Sequence, residues 1–226
     1  TEDILDGVEP VINFLVKGED EEAIASQISS GERLVELLEI GQISFLQANE
    51  KLSDAQEILD RLNSLPMSSE IFLNLEQVQQ YHDRVLSINS ALLTMPDMLS
   101  QVMGIDEEVT YLILAQNNDE IRPSGGYIST YGWLTLSNGR VTDYDYSATT
   151  IRSPSPPGED FLDTFEIPDW WFNFEQPIYA AWDGSWYVDF PSTADMSINY
   201  YNAGKNPHHP VSGLIAIDIT GFELIL

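Results

Sequence analysis

Apolar positions in the first hundred residues recur in steps of three and four; beyond that they alternate or bunch. Ile4, Val8, Val11 and Leu15 predict a helix over 2–16, with Pro10 as its kink or end. Gly18 and the acidic run Glu19 to Glu22 predict a fresh helix start, with negative charge at the positive end of the dipole. From Leu34 a heptad runs for four repeats. Leu34, Gly41, Ala48, Ala55 and Leu62 share one position; Leu38, Phe45, Leu52 and Leu59 share the other. The small residues in the first register leave room for a close partner helix. Ser64 to Ser68 breaks the pattern, and Ile71, Leu75, Val78, Tyr81, Val85, Ile88 and Leu92 mark a second amphipathic helix. Two such helices with a short connection predict an antiparallel hairpin roughly 40 Å long. Thr94, Pro96 and Asp97 then predict a short third helix, ended by Gly104.

The second half reads differently. Val109 to Ala115 is a short apolar run and predicts a buried strand. From Tyr127 to Leu136 the chain alternates, with Ile128, Thr130, Gly132, Leu134 and Leu136 on one face and Tyr127, Ser129, Tyr131, Trp133 and Thr135 on the other. Asn138-Gly139 predicts a type I′ hairpin turn, since both positions tolerate positive φ. That register sets Trp133 opposite Tyr144 and Tyr131 opposite Tyr146, an aromatic ladder, with Asp143 and Asp145 together on the other face. Residues 147–160 are a Pro/Ser/Gly-rich loop. Residues 161–190 are dense in aromatics, and two readings compete: a rigid binding surface carrying Trp170, Trp171, Trp182 and Trp186, or a core under long loops. Pro191 to Tyr201 predicts a helix stopped by Gly204, and Val211 to Ile219 a buried strand. Thr220 to Glu223 matches a capping box that opens a last helix, and the chain reads as a fragment of something longer.

The expected fold class is therefore α+β: a helical hairpin or stalk over 1–104, then an α/β domain over 105–226 with a central mixed sheet.

Charge narrows the partners. The chain carries 37 Asp+Glu against 9 Lys+Arg, a net charge of -28. Such a surface repels phosphate backbones and anionic headgroups, so nucleic acid is excluded as a partner. Apolar residues make up 43% of the chain, enough for a packed core. Cysteine is absent, which removes disulfides, thiol catalysis and Cys-based metal sites. No run of apolar residues approaches the ~20 needed for a membrane span. His82 sits beside an apolar stripe as a packing or surface residue, and the adjacent His208 and His209 read as surface imidazoles.

The candidate site is the polar loop after the first strand, with Asn117, Asn118, Glu120, Arg122, Gly125 and Gly126. Asn and Gly form turns, and Arg122 reads either as a structural clamp on Glu120 or a backbone carbonyl, or as a ligand for an anion. This segment resembles the bacterial family numbered 4012 among the domains of unknown function. The resemblance rests on Tyr111-Leu112-Ile113-Leu114, the loop residues just named with Pro123, then Trp186 with Asp189-Phe190-Pro191 and Ala194, and Val211, Gly213, Ile215, Ala216 and Asp218. Where that family commonly carries an Arg-Asp pair ahead of the Trp, this chain has Trp182-Asp183.

The resemblance implies a domain preceded by a helical spacer and a membrane helix, hence an extracytoplasmic envelope protein associated with the membrane through a segment outside these residues. It also implies a distant similarity to the LytR–CpsA–Psr cell-wall phosphotransferases, which attach glycopolymers carried on polyprenyl pyrophosphate. Two functions follow as expectations. The first is a structural or interaction module for an envelope protein partner or glycan. The second is a transferase on a lipid-linked glycopolymer dependent on Mg or Ca, with Arg122 on phosphate and Asp143 and Asp145 on the metal.

Overall fold

The computed structural model describes residues 1–17, 28–149, 181–204, 206–207 and 210–225. It is an α+β protein whose contacts divide into two units. One holds Thr1–Glu107 with the turn residues Asn138–Arg140, the other Glu108–Ser137 and Val141–Leu226. The expected helix start at Gly18 to Glu22, Trp170, Trp171, His208 and His209 lie outside the described residues.

Among the described residues the first unit holds three helices: α1 (Glu2–Lys17), α2 (Ser30–Asn63) and α3 (Ser69–Val102). Ser29 and Ser68 cap α2 and α3, each accepting the N–H three residues on, from Glu32 and Ile71. α1 runs through Pro10 rather than ending there. Pro96 likewise lies inside α3, so the separate third helix predicted there is the end of one 34-residue helix. Gly104 does end it, at φ 64, with Ile105 N–H on the Ser100 carbonyl and Gly104 N–H on that of Gln101, a Schellman closure. The turn residues of this unit hang on the same place: Asn138 N–H donates to the Gly104 carbonyl and Gly139 N–H to that of Met103. Asn138 and Gly139 both hold positive φ, as the Asn-Gly pair predicts.

α2 packs its heptad face on α1, with Phe45, Leu38, Ala48 and Gly41 buried. A side chain on Gly41 would meet the Gly7 carbonyl at 2.5 Å, so the small residue lets the two backbones touch. α3 uses only part of the stripe expected of it: Leu75, Val85 and Leu92 are half-buried, and Leu92 packs on the cluster of Val11, Phe14, Leu37 and Leu38. Its buried positions are His82, Asn89 and Pro96, and Ile71, Val78, Tyr81 and Ile88 face outward. The seam between α2 and α3 is instead a ladder of polar contacts. Gln42 Nε2 donates to the Leu93 carbonyl (3.1 Å), Asn89 Nδ2 to that of Phe45 (3.0 Å), His82 Nε2 to that of Leu52 (2.9 Å) and Gln79 Nε2 to Gln56 Oε1 (3.0 Å). A purely apolar count of steps cannot see a seam made of amides and an imidazole.

Among the described residues the second unit holds a four-stranded mixed sheet in the order β3-β2-β1-β4, built from β1 (Val109–Asn117), β2 (Tyr127–Ser137), β3 (Arg140–Ala148) and β4 (Gly213–Asp218). β1 pairs antiparallel with β2 and parallel with β4. Helix α4 (Phe190–Ala203) and a one-turn 3-10 segment (Ala181–Trp186) add to it, and α5 (Ile219–Ile225) follows β4 directly.

Strict alternation in β2 fails at one residue. Ala115 pairs with Thr130 but Gln116 with Ile128, so Ser129 is the extra residue of a bulge, its hydroxyl on the Ala115 carbonyl (3.1 Å). The bulge turns Ile128 to the same side as Tyr131, Trp133 and Thr135. Thr110, Leu112, Leu114 and Gln116 of β1 pair with these four, and Met196, Tyr200 and Tyr201 of α4 close the core over them. Of the expected aromatic ladder, Tyr131 is fully buried, whereas Tyr144 and Tyr146 are exposed. Among the described residues no helix is long and apolar enough to cross a membrane.

Candidate functional site

The loop between β1 and β2 sits at the carboxyl ends of the two parallel strands, where open sheets place their ligand crevices. Its own residues hold it. Asn117 Oδ1 accepts the Asp119 N–H (3.1 Å), and Glu120 N–H returns to the Asn117 carbonyl, an Asx turn. Asn118 Nδ2 donates to Thr220 Oγ1 at 2.9 Å, tying the loop to α5. Thr220 is therefore a partner of the loop and not the cap of that helix. Asp218 caps it, accepting the Gly221 N–H at 2.6 Å. Gly125 holds φ 130, open to glycine alone. Gly126 is buried so close to Asn117 that a Cβ would meet its carbonyl oxygen at 2.4 Å.

Arg122 does not bridge to Glu120. Its guanidinium lies over the Trp186 ring at 4.3 Å and nearer the edge of reach of the Tyr127 ring at 5.6 Å. Trp186 itself packs against the core, so this ring is a platform inside the domain rather than a free surface; Trp182 is half-buried. Burial raises the Tyr127 phenol above its ordinary value, and the carboxylates of Asp183 and Glu120 add to this while Arg122 opposes them. Asp183 is buried here.

A second set of residues, which no motif singled out, pins the loop from below. Ser124 donates through both its N–H and its hydroxyl to the Ser185 carbonyl (3.2 Å each), and the Thr193 hydroxyl donates to Ser124 Oγ (3.0 Å). Gln116 Nε2 reaches the Ser124 and Gly126 carbonyls at 3.4 Å. The available signal was Gln116, an amide at a core-facing position of an apolar strand. Beside the loop is an open groove of about 440 Å³ lined by Gln116, Gly125, Phe190, Ala216, Asp218 and Gly221. Its rim carries a carboxylate and no cation.

Asp143 and Asp145, expected side by side, are each engaged in a hydrogen bond. Asp143 Oδ2 accepts the Trp133 indole N–H at 2.8 Å, which puts it on the core side, where with burial it helps push the Tyr201 phenol up to about 12. Asp145 Oδ1 accepts the Tyr146 N–H at 2.8 Å. Among the described residues no three His, Cys, Asp or Glu side chains converge as a metal centre would require.

A mixed sheet with a polar loop at the ends of its parallel strands defines an α+β domain. The chain matches the family described as "Protein of unknown function (DUF4012)" over residues 106–226 and belongs to it. No curated protein and no solved structure matches the chain.

Proposed function

We propose that this protein is an interaction module of the cell envelope, binding a partner polypeptide along its helical hairpin. The observation that carries the reading is the outward row on α3. Ile71, Val78, Tyr81 and Ile88 are 58%, 52%, 57% and 56% exposed, in heptad spacing, because the polar ladder has taken the inner seam. Solvent-facing apolar residues in a contiguous row mark a binding surface. Placement outside the cytoplasm, with a membrane attachment beyond these residues, is part of the same proposal and follows the layout the family resemblance implies.

The alternative, a transferase on a lipid-linked glycopolymer, has less support. Arg122 spends the face of its guanidinium on Trp186, and Asp143 is engaged by Trp133. Native mass spectrometry of the protein purified from its own membranes tests the choice. A defined complex with other polypeptides, lost in the surface variant Val78→Lys, is the expected result. A monomer carrying a polyprenyl phosphate and a divalent metal would overturn it.

A further inference from the structure

We infer that the open half of the groove between α2 and α3 seats an amphipathic helix of a partner polypeptide whose flanks are basic. This rests on the interaction-module reading and names the chemistry of the partner. α1 shows how the groove is filled. It lays Val11 and Phe14 against Leu37 and Leu38 of α2, with Leu92, Met95 and Leu99 of α3 packed on the same cluster. Gly7 sits on Phe45, and Asp3 ends the contact on Lys51 at 2.7 Å. α1 thus runs antiparallel to α2 and covers the groove only as far as Lys51.

The groove itself goes on in the same register. Stepping back along α3 from Leu99, Met95 and Leu92 by alternate fours and threes gives Ile88, Val85, Tyr81, Val78, Asn74 and Ile71. On α2 the row Leu38, Gly41, Phe45, Ala48 continues as Leu52, Ala55, Leu59 and Leu62. Leu59 is buried, while Leu62, Ile71, Val78 and Tyr81 are exposed. Residues 52–62 offer about 16 Å, or three turns, of a seat continuous with the one α1 occupies.

Charge selects the occupant. Residues 52–88 carry the carboxylates of Asp54, Glu57, Asp60, Glu70, Glu76 and Asp83 against two cations, Arg61 and Arg84. Lys51, the neighbouring cation at the boundary, is already paired with Asp3. An acidic helix would meet repulsion along both walls, and so would a second copy of this hairpin. A helix with Lys or Arg beside its apolar stripe meets complementary charge on both sides.

The test uses the whole chain and two labelled peptides. Both carry the apolar spacing of Ile4, Gly7, Val11 and Phe14; one has lysine at the flanking positions and the other glutamate. Fluorescence anisotropy should show the lysine peptide binding at least about tenfold tighter than the glutamate peptide, and Val78→Lys or Tyr81→Lys should weaken it by at least about tenfold. Circular dichroism of both variants should be unchanged, since each side chain faces solvent. Equal binding of the two peptides, or indifference to both substitutions, overturns the inference. Self-association abolished by Val78→Lys also overturns it, while leaving the interaction surface in place. The broader reading falls separately, if native mass spectrometry finds a lipid-carrying monomer or a complex unaffected by Val78→Lys.

Discussion

Asn89, fully buried in the helical hairpin, donates its amide to the main-chain carbonyl of Phe45 across the seam at 3.0 Å. That carbonyl already serves the intrahelical ladder of α2, so it does not depend on Asn89. The Asn89 Oδ1 atom is buried with no hydrogen-bond partner among the described residues. An unpaired buried acceptor costs more than the single bond returns. Asn89→Leu is therefore expected to stabilise the protein by on the order of 1 kcal/mol in urea unfolding. The same change should blur the register of α2 against α3, because a lone buried amide fixes register at a cost in stability. Broadened amide signals from the hairpin, beside a raised unfolding midpoint, would record both effects. A lowered midpoint would mean that the seam depends on the amide for its stability.

The contact between Arg122 and Trp186 makes a prediction about charge against shape. A double-mutant cycle with Arg122→Ala and Trp186→Leu should give a coupling of about 1 kcal/mol in unfolding free energy. Arg122→Lys keeps the charge but loses the flat guanidinium, so it should recover less than half of that coupling. Full recovery by lysine would show that the pair acts through charge alone.

Gly126 is expected to be intolerant of even one methyl group. The clash is with the Asn117 carbonyl, a backbone atom at the end of β1, so no side chain can swing aside. Gly126→Ala should cost about 1–3 kcal/mol in chemical unfolding. Gly184→Ala, whose added methyl would meet the flexible end of Met196, should cost less. The two variants measured side by side separate backbone crowding from side-chain crowding.

Much of this architecture is legible in the residues, and the exceptions share a cause. The α2 heptad, the Asn-Gly turn, the stop at Gly104 and the order of helices before sheet all follow from local rules that tertiary contacts leave intact. The seam of α3 was hidden in part because its buried positions include His82 and Asn89, so the apolar row marks the inner face only partly. The alternation of β2 was broken by Ser129, a bulge that nothing in the local spacing marks. Asp143 is a related case: the hairpin count puts it on the face away from Trp133, yet its carboxylate accepts the Trp133 indole N–H. In the loop, Asn117 and Gly126 could be read as turn formers from their types alone. The stacking of Arg122 on Trp186 could not, since 64 residues separate the two and only the fold brings them together.

Asp189 offers a test of linkage at the start of α4. Its carboxylate accepts the Ser192 N–H at 3.0 Å as the helix N-cap, and bonding to Ser192 holds its pKa below the ordinary 3.8. A group depressed in the folded state contributes stability that is fully present above its unfolded pKa. That contribution is lost as the pH falls through the depressed folded value. Wild type alone would not reveal it, because the chain's net charge of -28 also relaxes as carboxylates protonate. The difference between wild type and Asp189→Ala removes that shared background. The difference in thermal midpoint should be constant from neutral pH down to about 5, shrink below about 4, and be smallest near pH 2. A difference that stayed constant down to pH 2 would mean that the cap works through its neutral acid as well as its anion, and the electrostatic account of this helix start would fail.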